Sequence, residues 1–309
     1  MANEVSFATL LSNGGRVAAM IGDQVHLNLY DPANLRGLMT MYTMAGPSSV
    51  QSVAGLTRGY TAAAASSEIS GGASNTALTT TNKDITIARY LLQMAPTDLF
   101  ALTSPGAPIN VATVADAITE SMDLTLTSLL TGLFSGISTN VGTSGADLTV
   151  TNIFSAIFAL NLNNNPAQLA AVLHNQQIND LMSSIRGEGG AIQYRADAQG
   201  VLSTKGVAAR FRFLEVDFYQ SSRVATANAG ADRQGAMFSA GAFGYKLGNV
   251  DEIINQGMVN PADILIRSPE MFIERSRDAA NGLSKMILNF YPGVAEIEDL
   301  RAVAITTDA

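Results

Sequence analysis

Residues 61–82 read TAAAASSEISGGASNTALTTTN, twenty-two positions with one charge, Glu68, and two large aliphatic residues, Ile69 and Leu78. That is too little apolar bulk for the segment to order on its own, because burial must offset the entropy of fixing each residue. A flexible linker would carry more charge or separate two complete domains, yet this stretch interrupts a chain that is 47% hydrophobic. Thr- and Ala-rich backbone suits an extended strand laid against another surface. The segment needs a cover, and a neighbouring copy of the same chain is the cover expected.

Composition points the same way. At 309 residues the chain is near the size where one core stops growing, so one elaborate domain or two interleaved ones are expected. Only 14% of residues are charged, a balance that suits a protein with much of its surface in subunit contacts. The net charge of -8, with lysine only at 83, 205, 246 and 285, argues against a nucleic-acid grip, which needs clustered Lys and Arg. The absence of cysteine removes disulfides, thiolate nucleophiles and cysteine zinc sites, and leaves the compartment open. The opening MANEVSFATLLSNGGRVAAM has Glu4 where a signal peptide is basic, and no clean apolar core. Residues 124–146 are uncharged and long enough to span a bilayer, but they are studded with Thr, Ser and Gly, so no membrane span is expected.

Along the chain, residues 1–37 are mixed and broken by Gly14, Gly15 and Gly22, as in an arm. From Leu38 to Thr61, short alternating stretches around Gly46-Pro47 predict a strand pair. Asp84 to Met94 returns to apolar residues, so 38–94 forms a long two-stranded excursion with a poorly self-supported tip. Val111, Val114, Ala115, Ile118, Met122, Leu126, Leu129, Leu130 and Leu133 then recur at three- and four-residue spacing. They predict one long helix over 110–135, ending at Gly132 or Gly136 and acting as a structural spine.

Thr151 is the expected cap of a second helix through Leu162. Leu169 to His174 predicts a strand and Gln176 to Arg186 an amphipathic helix, while the five glycines of 187–206 predict an exposed loop. Arg210 to Tyr219 reads as one strand with a bulge where the phase slips at Leu214-Glu215. Ala236 to Leu247 reads as a strand pair or edge; Asp263 to Ile266, Met271 to Arg275 and Lys285 to Phe290 as strands, with a hairpin turn at residues 279–282; and Arg301 to Ile305 as the last strand. The class is α+β, without the regular alternation of a doubly wound sheet.

No constellation carries chemistry. His26 and His174 stand far apart without a second ligand at metal spacing, and His174, between a strand and a helix, reads as a structural histidine. Nucleophile-elbow, phosphate-loop and dinucleotide-binding motifs are all missing. The carboxylate neighbours Asp251/Glu252 and Glu298/Asp299 point apart in a strand and read as solvated; a glycosidase would need them to converge in a cleft. Glu270, Glu274, Arg275, Arg277 and Asp278 suit inter-subunit ion pairs and an ordinary solvated hairpin equally. Lys83, near the base of the excursion, could in chemical principle link to an Asn of a neighbour, but a solvated lysine is the simpler reading, since that bond demands a desolvated amine. No catalytic, cofactor-binding or metal-binding residue is assigned, and no cofactor is expected.

Three stretches carry a resemblance: AVLHNQQINDLMSSIR (171–186), GAFGYKLG (241–248) and MFIERSRDAANGLSKMILNFYPGVAEIEDLRAVAITTD (271–308). They resemble the major capsid protein of tailed double-stranded DNA bacteriophages, the Hong Kong 97-like fold, and the order of parts is similar along almost the whole chain. The resemblance implies an N-terminal arm (1–37), an extended β-hairpin loop (38–94), a peripheral domain with the spine helix (95–149) and an axial domain (150–261). Peripheral return strands (262–293) and a C-terminal strand (294–309) complete the division. A charged, helical N-terminal extension serving as built-in scaffold is not seen, which implies a separate scaffolding protein or none.

The resemblance further implies that the extended loop lies over the neighbouring subunit and that copies close into hexamers and pentamers of an icosahedral shell in the virion, assembled in the host cytoplasm. Itself is then the main partner; scaffolding, portal and decoration proteins are candidate partners, double-stranded DNA is enclosed without specific contact, and no membrane is involved. An encapsulin nanocompartment shell is the alternative on the same fold. Another virion protein, such as a tail-tube or decoration subunit, and a carboxylate enzyme are the remaining rivals.

Overall fold

The computed structural model describes residues 5–6, 35–42, 50–57, 79–94, 108–109, 111–163, 168–187, 211–255, 257, 260–267, 271–281 and 283–308. Most of the expected arm, the tip of the excursion at 58–78, the glycine-rich loop at 188–210, His26 and Glu270 lie outside the described residues.

The excursion is formed by β1 (Val50–Thr57) and β2 (Thr79–Thr86), followed by β3 (Tyr90–Met94) and the long helix α1 (Val111–Gly132). Helix α2 (Val150–Leu162), strand β4 (Leu169–Leu173) and helix α3 (Asn175–Gly187) come next. Strands β5 (Phe211–Phe213), β6 (Val216–Gln220), β7 (Asp232–Ser239) and β8 (Phe243–Leu247) lead to a short helix α4 (Val250–Asn255). The chain ends in β9 (Ile264–Arg267), β10 (Met271–Asp278), β11 (Leu283–Phe290), β12 (Pro292–Glu296) and β13 (Ala302–Asp308).

One central sheet has the order Asn140–Val141, β13, β7, β4, β6, β5, with Thr226–Ala227 also on β7. Period-two alternation supplies both of its faces. Leu173, Val216, Phe218, Met237, Val303 and Ile305 pack under α2 and α3, against Ile153, Leu160, Leu181 and Ile185. Val172, Tyr219, Ala236, Phe238, Ala302 and Ala304 face the other way, toward the end of α1 and β8. Both faces are covered, so β13 is buried along six of its seven residues, the apolar run AVAI and the two threonines after it.

A second sheet holds β12, β8 and Thr40–Met41; a third runs β9, β10, β11, β3, all antiparallel. The β1–β2 hairpin forms a separate ladder with eight paired positions, from Val50 opposite Thr86 to Thr57 opposite Thr79. In α1, Ile118, Met122, Leu126 and Leu130 are buried at four-residue steps, and Phe134 continues the stripe through the 3-10 turn Leu133–Gly136. The helix is 22 residues long, about 33 Å at 1.5 Å per residue. Phe134, Phe238 and Phe243 cluster at its end, the last two edge to face with centroids 4.8 Å apart.

Four local expectations are corrected. Gly46-Pro47 lies outside the described residues, and the described strands flanking it do not pair with each other: Thr40–Met41 runs parallel to β8, and β1 pairs with β2, across the low-complexity stretch, where eight positions match. Leu214 and Glu215 do not bulge a single strand; both take left-handed φ, 51° and 63°, and turn β5 into β6. Ala236 to Leu247 is not a pair, since β7 and β8 lie in different sheets. The cap of α2 is Thr149, whose hydroxyl accepts from the Asn152 N–H, and not Thr151.

Candidate assembly elements

The root of the hairpin is built from residue size. Along β2 and just beyond it, Asn82, Asp84 and Thr86 are exposed while Ile85 is fully buried. The inner side rests on β8 and β12, where glycines lie at several positions. Gly293 lies opposite Lys246 in register, and a Cβ there would sit 2.5 Å from the Thr86 carbonyl oxygen. Beside it, a Cβ on Gly248 would meet the Tyr291 Cβ at 2.8 Å and one on Gly244 the Tyr42 ring at 2.6 Å. Contacts under about 3 Å do not occur between real side chains and backbone, so Gly293 is what lets the hairpin root approach this closely, and Gly244 and Gly248 admit the Tyr42 and Tyr291 side chains beside it.

Lys246 shares that floor. Phe243 and Tyr245 point into the core on the opposite face, so alternation turns Lys246 toward the hairpin root. It is fully buried, and its Nζ finds no acceptor among the described residues. Burial pushes its pKa down.

A polar clamp fixes the other side of the root. Arg89, just after β2, donates from Nε to Asn289 Oδ1 at 2.8 Å, and Asn289 Nδ2 donates to Glu274 Oε1 at 3.0 Å. Asn289 is fully buried on β11, so the hairpin root is tied to the four-stranded sheet through a satisfied network. The chain thus holds the base of the excursion on two sheets while the ladder runs outward from it.

Lys83 is half-buried in β2, opposite Val53. It bears on Glu296, whose pKa is raised by burial first and by Asp299 second, with Lys83 opposing. His174 caps α3: its Nδ1 accepts from the Gln176 N–H at 3.2 Å, and burial, then Arg233, lower its pKa. Asp251 lies in α4, not a strand, and pairs with Arg267 at 2.7 Å. Glu298 pairs with Arg301 at 2.6 Å, and Asp299 accepts from the Ser138 N–H at 2.9 Å.

In the charged run, Glu274 belongs to the Arg89 clamp, while Asp278 closes the β10–β11 turn. The Asn281 amide and Lys285 hold the Asp278 carboxyl at a pKa of about 2.

No group of three or more potential metal ligands occurs among the described residues, and no described helix is long and apolar enough to cross a membrane. A groove of about 540 Å³ follows α1 and is lined by Tyr90, Glu120, Ser121, Leu124, Thr125, Ser128, Leu129 and Arg223. Its single carboxylate cannot supply the pair that glycoside hydrolysis requires. Sequence reasoning missed Lys246, although its position between Gly244 and Gly248 in GYKLG was the available signal.

The mixed sheets, the outward hairpin and the spine helix can be set beside known structures. The capsid of cyanophage P-SCSP1u is similar with a TM-score of 0.53 at 15% identity, over 87% of this chain and 86% of that one. The mature capsid of bacteriophage PhiM1 gives 0.56 at 10% identity over 88% and 86%. This chain has the phage capsid fold. The SrpI encapsulin from Synechococcus elongatus PCC 7942 gives 0.59 at 11% identity, over 90% and 87%, so encapsulins share that fold. No protein-family model matches the chain. No curated protein matches it by sequence.

Proposed function

We propose that this chain is the major capsid protein of a tailed bacteriophage, self-assembling through hexamers and pentamers into an icosahedral head that encloses double-stranded DNA. The observation that carries the reading is the end-to-end likeness of fold, 84–91% of both chains in similar structures named as capsids or phages. Three of those neighbours are named as capsids, and the reading assigns this chain no catalytic role and a place in the virion.

Within the subunit, the reading takes 38–94 as the extended loop around the β1–β2 ladder, 95–149 as a peripheral domain carrying α1, and 150–261 as an axial domain. Residues 262–293 return to the peripheral domain, and 294–309 form the C-terminal strand. Heterologous contacts repeated by rotation close into rings, and many modest contacts acting together make a stable shell. The acidic balance suits a wall that encloses DNA without gripping it.

The likeness to the SrpI encapsulin favours a second reading, a nanocompartment shell. Terminase, portal and tail genes beside this one favour the virus; a gene for an enzyme cargo favours the compartment. The direct experiment is electron microscopy of particles formed by the chain expressed by itself. Closed shells, or free rings of five or six subunits, are expected; single subunits alone contradict the proposal.

A further inference from the structure

Helix α2 is apolar on two sides, but among the described residues only one of them is packed. Val150, Ile153, Ala156 and Leu160 are buried against the central sheet. On the opposite side Phe154, Phe158 and Leu162, spaced four residues apart, are 50%, 64% and 68% exposed. A helix that is hydrophobic all round belongs in an interior. Leu300 extends the stripe at the helix end, where its carbonyl accepts from Asn163 Nδ2 at 3.0 Å. Thr151, Ser155 and Asn161 are exposed beside the aromatic pair, giving a neutral polar rim around an apolar centre, the layout of an interface core.

The charge pattern identifies the occupant. Residues 148–179 hold no Asp, Glu, Lys or Arg, and α2 lies within them. Every copy carries a net charge of -8, so two copies approach with least repulsion where neither presents charge. A nucleic acid, a cationic partner or an anionic membrane would instead be met by charged side chains, which this face lacks. The apolar area on offer is on the order of 400 Å², about half of what each partner gives in a stable two-body interface. A contact of that area is therefore too small to hold two copies together by itself. Such a contact works where others, here the extended hairpin, engage at the same time.

We infer that this face of α2 is the seat of a second copy of the chain, a heterologous contact between adjacent subunits of a ring. The inference rests on the shell-subunit reading and names one of its contacts.

The chain has no cysteine, so a single thiol reports cleanly. In Ser155→Cys, at the rim of the stripe, maleimide should react at least tenfold more slowly in assembled particles than in dissociated subunits. Phe158→Glu should cut particle yield at least tenfold while leaving the circular dichroism and melting of the subunit unchanged; Phe158→Ser repeats the test with a milder change. Equal maleimide rates in particles and free subunits, or wild-type yield from both Phe158 variants, overturn the contact and leave the shell reading standing. A wild-type chain that forms no particles overturns the shell reading, and this contact with it.

Discussion

Gly293 and Lys246, opposite each other under the hairpin root, make the sharpest claims about single residues. Gly293→Ala puts a methyl group 2.5 Å from the Thr86 carbonyl oxygen, and backbone must move to admit it, at a cost of about 1–3 kcal/mol. Urea unfolding should show that loss, and particle yield should fall with it; an unchanged midpoint would refute the close approach. Lys246→Met keeps the alkyl stem and removes an amine that has no acceptor among the described residues, so it should stabilise the subunit by about 1–3 kcal/mol. The pH dependence carries the same sign. The folded amine gives up its proton below the ordinary lysine value of 10.5, the unfolded chain holds more protons in that window, and stability rises as pH climbs toward 10.5. The Met variant should lack this rise. His174 works at the acid end: its lowered pKa means that stability is lost as pH falls from the ordinary 6.5 toward the folded value. His174→Asn keeps a helix cap without a titrating ring and should flatten that part of the profile relative to wild type. The sequence made His174 legible as structural, because it stands between a strand and a helix. It hid Lys246, because burial of a lysine depends on a hairpin root that arrives from 160 residues away in the chain, at Ile85 and Thr86.

Among the elements, the proposed function predicts that the β1–β2 hairpin separates what a subunit needs to fold from what a shell needs to form. Deleting residues 62–81 leaves the pairs from Val50–Thr86 to Ala54–Asn82, the glycine floor and the Arg89 clamp intact. The deletion should give a soluble, folded subunit that cannot build stable shells; intact particles would show that the tip is not the clasp. Elements with strong local periodicity were legible. The four-residue stripe of α1 and the turn between β10 and β11 stand where the pattern puts them. Elements defined by distant partners were not. Thr40–Met41 has as much strand character as β1, but its partner is β8, some 200 residues on, and no local rule links them. Leu214-Glu215 lacks the Asn or Gly that marks a two-residue turn; Leu214 packs on the core, which offsets part of the strain of its left-handed φ. The exposed face of α2 was invisible for the opposite reason, since its Phe and Leu residues read as core until the sheet covers only one side.

At the scale of the whole molecule, low charge and a long weakly apolar segment pointed to surfaces that other copies cover. The order of parts pointed to the capsid fold, which the structural likeness over about nine-tenths of the chain bears out at 10–15% identity. Such divergence is physically reasonable. A shell fold is specified by where apolar stripes, close glycine approaches and turns fall, and many residue choices satisfy those conditions. The account stands on the claim that the extended hairpin and the uncovered faces are completed by identical neighbours. Sedimentation velocity of the purified full chain across a hundredfold range of concentration tests it most directly. The prediction is a discrete, fast-sedimenting species of closed rings or shells that grows with concentration at the expense of the subunit. A single boundary of monomer at every concentration would contradict it.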